Sequence, residues 1–310
     1  MPSKTQDAGV ASEFRTLGES INIATRPVHT SLNKLIILRL RLALPPHADD
    51  ASNYVQGLLH IAPIYITFET LWQDILDTPV LLTTSPSGVL IESNPSSHVS
   101  PRIHTILTAA HFNALSRSAA LKKDLSRLTG WHADELAAHL SEVPRESPVL
   151  AGFLERIRRT VKERPHALLA YAWVLYMALF AGGRFIRASL ERVDSGDRFW
   201  GPFDEDGENG KEMGMRKSRM PGEFPTSASM SEGTEKTEHP LSFFRFDTPA
   251  DGQDLRQAFK TRVAEATDVL TPSEIEDVVA EAREIFEQMV GLVGELDDVC
   301  GTEYEAAMAA

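Results

Sequence analysis

The stretch Leu168–Leu190, LLAYAWVLYMALFAGGRFIRASL, constrains the fold of this chain more than any other. It is a long apolar run of helical character, yet it carries Gly182 and Gly183 side by side in its interior. Each interior glycine costs a helix about 1 kcal/mol relative to alanine, so the pair needs a compensating reason. One reason is the approach of something flat or bulky to bare backbone where a side chain would collide. The other is close helix–helix packing or a kink. From this segment alone the two readings stand level.

The flanking sequence is also helical in pattern. A helix is expected from about Glu13 to Leu40, interrupted at Pro27, with Val28, Leu32, Leu35 and Ile36 forming an apolar stripe. Pro45 and Pro46 end it. A second pattern covers Ala51–Leu76 and is broken at Pro63. Others run through Ile103–Leu128, Trp131–Leu140, Gly152–Arg164 and Gly252–Leu270. The sequence TPSE at 271–274 is a capping box that opens the last helix. Strand signals are sparse, so the expected class is all-α. The expected organisation is a disordered lead over 1–12 and a single domain over 13–310, with flexible insertions at about 77–101 and 194–240. The second insertion is rich in Gly, Glu, Asp, Lys and Ser, a composition too poor in aliphatics to offset the entropy of ordering.

Charge and cysteine content exclude several functions. The net charge of −13 argues against sequence-independent binding to nucleic acid and against simple attraction to anionic membranes. Cys300 is the sole cysteine, which excludes an intrachain disulfide or a thiolate metal cluster and points to a reducing compartment. The N-terminal MPSKTQDAGVASEF lacks an apolar signal core, and the closing DDVCGTEYEAAMAA could not anchor in lipid. Even Leu168–Leu190 is interrupted by Gly182, Gly183, Arg184 and Arg187, so no transmembrane anchor is expected and the expected location is cytoplasmic.

A histidine far upstream separates the two readings of the glycine pair. The segment ATRPVHTSLNKLI, Ala24–Ile36, places His29 on or beside an apolar helical face, where a lone histidine is most often structural. Together, His29 and the glycine-pair helix resemble the haem oxygenase family. There, a histidine in an A-T-x-x-x-H-T sequence ligates haem iron, and a distal G-D-L-S-G-G helix lays its glycine backbone across the opposite face. Ile64 and Tyr65 followed by Glu69 are similar to the family's second helix. LSFFRFDTPADGQDLRQAFKTRV, Leu241–Val263, is similar to its F-F-x-F stretch and the basic helix after it. Thr271–Asp297 is similar to its closing helix. The likeness spans most of Ala24–Asp297, leaving out the two insertions. It implies b-type haem held by His29 as axial iron ligand and open backbone at Gly182 and Gly183. It also implies cations for the haem propionates at Arg256 and Lys260, with Arg26 a further candidate.

The chain departs from that pattern on the distal helix. Aligning the glycine pairs puts Leu179 at the family's distal aspartate and Ala178 at a glycine. Leu175 then replaces an arginine and Trp173 a tyrosine. Helical spacing places Leu179 on the Gly182 face, toward the pocket. A carboxylate there would hold the water that steers proton delivery; leucine cannot, and distal polarity decides between oxygen binding, activation and electron transfer. Tyr65, Tyr171 and Tyr176 are the remaining polar candidates, with core packing as their alternative role.

Three functions follow from the resemblance. The first is haem cleavage to biliverdin, CO and ferrous iron, using O2 and electrons from a flavoprotein reductase. The second is a non-catalytic haem sensor or carrier, and the third a haem-free helical interaction module acting through 194–240. A di-iron oxidase built on the same bundle is disfavoured, because Leu168–Leu190 offers no carboxylate or histidine. His60, His111, His132 and His166 show no ligand spacing and are assigned no role.

Overall fold

Helical periodicity becomes ten α-helices in the computed structural model, which describes residues 15–78, 82–84, 90–92, 99–193, 199–201 and 239–302. They are α1 (Leu17–Leu42), α2 (Ser52–Asp77), α3 (Pro101–Ala110), α4 (Ser118–Thr129), α5 (Ala133–Glu146), α6 (Pro148–Glu163), α7 (Leu168–Ala178), α8 (Arg184–Leu190), α9 (Gln253–Thr267) and α10 (Pro272–Cys300). Between α2 and α3, β1 (Leu82–Thr84) and β2 (Leu90–Glu92) pair antiparallel, Leu82 opposite Glu92. This short ribbon lies inside the 77–101 stretch expected to be loop, and it leaves the all-α class intact. The rest of that stretch, nearly all of 194–240 and the 1–12 lead lie outside the described residues.

The apolar run explains itself by position. Every residue from Leu168 to Tyr176 is buried, because α7 runs through the core against α2, α3 and α10. A helix hydrophobic all round is an interior helix or a membrane span. Among the described residues, Pro165–Leu190 is long and apolar enough, by length and composition alone, to cross a membrane, a measure that a buried core helix also meets. Here protein surrounds its first half.

Helix α1 runs alongside α10 in the same direction: the Arg283 guanidinium donates to the Ala24 carbonyl, His29 meets Phe286, and Arg39 Nε donates to Asp297 Oδ1 at 2.8 Å. The long α1–α10 seam overrides Pro27, which sits exposed inside a continuous helix rather than interrupting it. An interior proline costs about 3 kcal/mol; burial of the stripe along α10 offsets it. Pro63 is likewise inside an unbroken α2, buried in the core. The opposite error occurs at 103–128, where one expected helix is two, α3 and α4, separated by a 3₁₀ turn at Asn113–Leu115. The Glu69 carboxylate holds the start of α4 by accepting from the amides of Arg117 and Ser118 at 2.7 and 3.0 Å. A side chain 48 residues upstream of Arg117 therefore fixes that boundary.

A second carboxylate locks the base of α7. Glu281 on α10 is only 1% exposed; it accepts two bonds from Arg156 and one from the Tyr171 hydroxyl at 2.6 Å. Burial, followed by the Glu281 charge, pushes the Tyr171 hydroxyl well above its ordinary range.

Candidate functional site

Helix α1 and helix α7 meet at Trp173. The Trp173 ring lies on Gly18 so closely that a Cβ there would meet ring atoms at 2.3–2.9 Å, and Trp173 Nε1 donates to Asn22 Oδ1 at 3.2 Å. Gly18 is thus a close-approach glycine that the sequence reading passed over. From this contact onward α1 presents an exposed line at i, i+3 and i, i+4 spacing: Asn22, Arg26, Thr30 with His29 beside it, Asn33 and Ile37. His29 is exposed at the surface, its ring edge-on to Phe286 at 5.5 Å between centroids. The Asn33 amide nitrogen lies 3.3 Å from His29 Nε2.

On the other element the two glycines have different jobs. The helix widens into a π turn over Leu179–Gly183 before continuing as α8; such turns insert one residue and shift the faces that follow. Gly182 is exposed, and a Cβ built on it meets nothing within 4 Å. Gly183 is buried, and its Cβ would meet Phe244 at 3.3 Å and Leu179 at 3.4 Å. The two sequence readings of the pair therefore divide between its members: open backbone at Gly182, tight packing at Gly183. Gly183 thus faces Phe244 and Leu179, not the open side that Gly182 presents. Ala178 and Phe185 share the exposed side with Gly182, and Phe185 is 53% exposed.

Leu179 also differs from expectation. It is 5% exposed and packs inward beside Gly183, away from the face of Ala178 and Gly182. The candidate tyrosines are committed elsewhere. Tyr65 donates to the Leu175 carbonyl, Tyr176 to Glu69 and Tyr171 to Glu281. Burial first, and then the neighbouring carboxylates, hold all three hydroxyls well above their ordinary range. They are fixed donors in the core, with no proton to lend at neutral pH.

The LSFFRF segment straps the distal helix to α9. Asp124, fully buried on α4, accepts from the Ser242 and Phe243 amides. Phe246 stacks on Phe180 at 4.6 Å between centroids, and the Arg117 guanidinium sits 4.3 Å from the Phe246 centroid in a cation–π contact. Gly252 caps α9 at φ 80°; a Cβ there would strike Phe246 and Phe180 at 2.7–2.9 Å. On α9, Arg256 is half-buried and its Nε is buried without a partner among the described residues, whereas Lys260 is exposed and its charge reaches Glu19 on α1. Arg26 is exposed. Lys260 is thus brought near the start of α1, while Arg26 and His29 lie further along it. No group of three or more His, Cys, Asp or Glu side chains among the described residues could hold a metal ion by itself.

An all-helical fold carrying a histidine-bearing first helix and a glycine-opened, π-distorted inner helix defines a narrow class of protein. Residues 98–295 match the family model described as Heme oxygenase, and the chain belongs to that family. The matched span begins after α2, so His29 lies outside it. The heme-binding protein HMX1 of Saccharomyces cerevisiae is 23% identical over 293 residues, which is 93% of this chain and 77% of that protein. Among solved structures, heme oxygenase-2 from Synechocystis, in complex with heme and NO, has a TM-score of 0.61 at 14% identity, covering 94% of this chain and 91% of that one. Heme oxygenase 2 from Chlamydomonas reinhardtii, without heme, has a TM-score of 0.59 at 15% identity, covering 90% and 97%. These likenesses establish the fold.

Proposed function

We propose that this chain binds b-type haem, with His29 as the axial iron ligand and the Gly182 backbone against the opposite face. The open space over Gly182 carries this reading: a helix in need of stability leaves a bare exposed glycine where alanine would fit without collision. Two further observations support it. The buried Arg256 Nε is an unpartnered donor that an anionic propionate would satisfy, and unpaired buried donors are otherwise costly. The name of the yeast relative records heme binding in that protein. Lys260 and Arg26 are the other cations for the propionates.

Haem, when bound, supplies the iron centre and the ring on which the family's oxidative chemistry acts. His29 fixes the iron, and Arg256, Lys260 and Arg26 orient the propionate edge by charge-assisted bonds. Around the Gly182 face the chain offers small and apolar side chains, Ala178, Ala181 and Phe185. Leu179 holds no water, and the tyrosines keep their protons for Leu175, Glu69 and Glu281. On this reading cleavage of haem with O2 and reductase electrons is slow, because no polar side chain among the described residues of the Gly182 face stands ready to steer a proton.

The test of binding is a haemin titration of the wild type and of Gly182→Leu. The apo variant should melt within about 1 kcal/mol of wild type, since leucine gains helix propensity and meets open space. Its haem affinity should fall by at least ~100-fold, as a side chain now occupies the approach to the ring. Equal Soret titrations for the two proteins would overturn the placement of haem against Gly182.

A further inference from the structure

Asp251 stands at the junction of the two elements that the proposed site brings together. It is the one non-glycine residue with positive φ, 46°, among those described. Aspartate tolerates that conformation better than most residues, but the position still needs holding. Its amide donates to the Thr248 carbonyl at 2.9 Å, and three further bonds hold it. Asp251 Oδ1 accepts from the Phe246 amide at 3.1 Å, and Oδ2 accepts from Arg187 at 2.6 Å. Its backbone carbonyl accepts from Arg184 at 3.0 Å. Both arginines lie on α8, just past the π turn that carries Gly182. The next residue, Gly252, caps α9, and its carbonyl accepts from the amide of Arg256 at 2.8 Å. A short chain of contacts therefore runs from the distal helix, through one carboxylate, to the backbone of the cation with the unpartnered Nε. Arg187 also donates to the Phe244 carbonyl, and Phe244 is the ring that packs on Gly183.

We infer that Asp251 is a positioning residue of the proposed haem site, coupling engagement of a propionate at Arg256 to the seating of the Gly182 helix on the ring. The inference rests on the haem-binding reading but adds to it a link between the anion-binding edge and the distal face. Without Asp251, α8 and the start of α9 move independently, and a propionate held at Arg256 no longer draws the distal backbone inward. The bare backbone at Gly182 makes close seating possible; the Asp251 bonds decide whether it is maintained.

Asp251→Asn tests this, because asparagine tolerates the same φ and retains an acceptor for Phe246 while losing the charged bond to Arg187. Arg187→Gln removes the same bond from the other side. In the haem-free chain, amide hydrogen exchange should rise about tenfold in both 184–190 and 253–260 in either variant. Faster exchange in one segment alone, or in neither, overturns the coupling. In the haem-loaded chain, Asp251→Asn should speed haem loss to an apomyoglobin trap about tenfold, and leave loss of haem dimethyl ester, which lacks the propionate charges, unchanged. Equal acceleration for haem and its ester would assign Asp251 a purely structural role and overturn the proposal. Wild-type protein that develops no Soret band overturns the haem-binding reading instead, and the exchange pattern then decides the coupling by itself.

Discussion

His29→Ala should abolish the imidazole-ligated haem spectrum and weaken haemin binding by more than ~100-fold, beyond the 10–100-fold that changes behind a metal ligand cost. The physical basis is that, on the proposed reading, the iron–imidazole bond would be the directional covalent contact that holds the group. The remaining contacts, apolar packing and propionate charge, bind a porphyrin without fixing its iron. The stability of the empty protein should hardly move. His29 is exposed, and its losses are the edge contact with Phe286 and the Asn33 hydrogen bond. An aromatic edge contact is worth about 0.5–1.5 kcal/mol, and alanine recovers part of that in helix propensity. The expected result is a large change in affinity with a melting temperature within a few degrees of wild type. Adding imidazole to the variant should restore a ligated spectrum by filling the space left at position 29. An unchanged Soret band in His29→Ala would assign the axial ligand to another residue and remove the main support of the site.

The two sides of this site differed in how far the sequence revealed them. His29 was singled out only by the family resemblance, since a lone histidine in that pattern is most often structural, whereas the capping box at Thr271–Glu274 was legible because both of its partners are local. The glycine pair announced a constraint, but not that Gly182 and Gly183 point to opposite environments. That division follows from the π turn, which depends on hydrogen bonding and leaves no residue signature. Leu179 was placed on the Gly182 face by ordinary helical spacing, and the same extra residue per turn helps turn it inward. Pro27 and Pro63 read as breaks because intrinsic propensity ignores the packing along α10 and in the core that keeps both helices continuous. Gly18, Asn22 and Asp251 were invisible for a different reason: each acts through partners far away in sequence, Trp173, Arg184 and Arg187.

Glu69→Ala should be among the most destabilising single substitutions in the chain, at roughly 3–4 kcal/mol, read as a drop in the urea midpoint with unchanged slope. One carboxylate accepts from the Arg117 amide, the Ser118 amide, the Ser118 hydroxyl and the Tyr176 hydroxyl. Alanine leaves all four donors without their acceptor in a half-buried to buried setting, and each such loss costs about 1–3 kcal/mol before water and relaxation recover part of it. The Glu69 charge also offsets the burial that lowers the affinity of Arg117 for its proton. Glu69→Gln separates the contributions: it keeps one acceptor oxygen, removes the charge, and should cost about half as much. The damage should reach the site as well as the fold. Tyr176 precedes the π turn on α7, and Arg117 donates to the Arg245 carbonyl and lies over Phe246 in the strap. Loosening Glu69 therefore weakens the Arg117 hold on the segment that presses on Gly183, while the Asp124 hold remains, so haem affinity should fall in Glu69→Gln at a temperature where the variant is still fully folded. A loss of stability below about 1 kcal/mol for Glu69→Ala would mean that water replaces the carboxylate readily and that the start of α4 is held by its own packing.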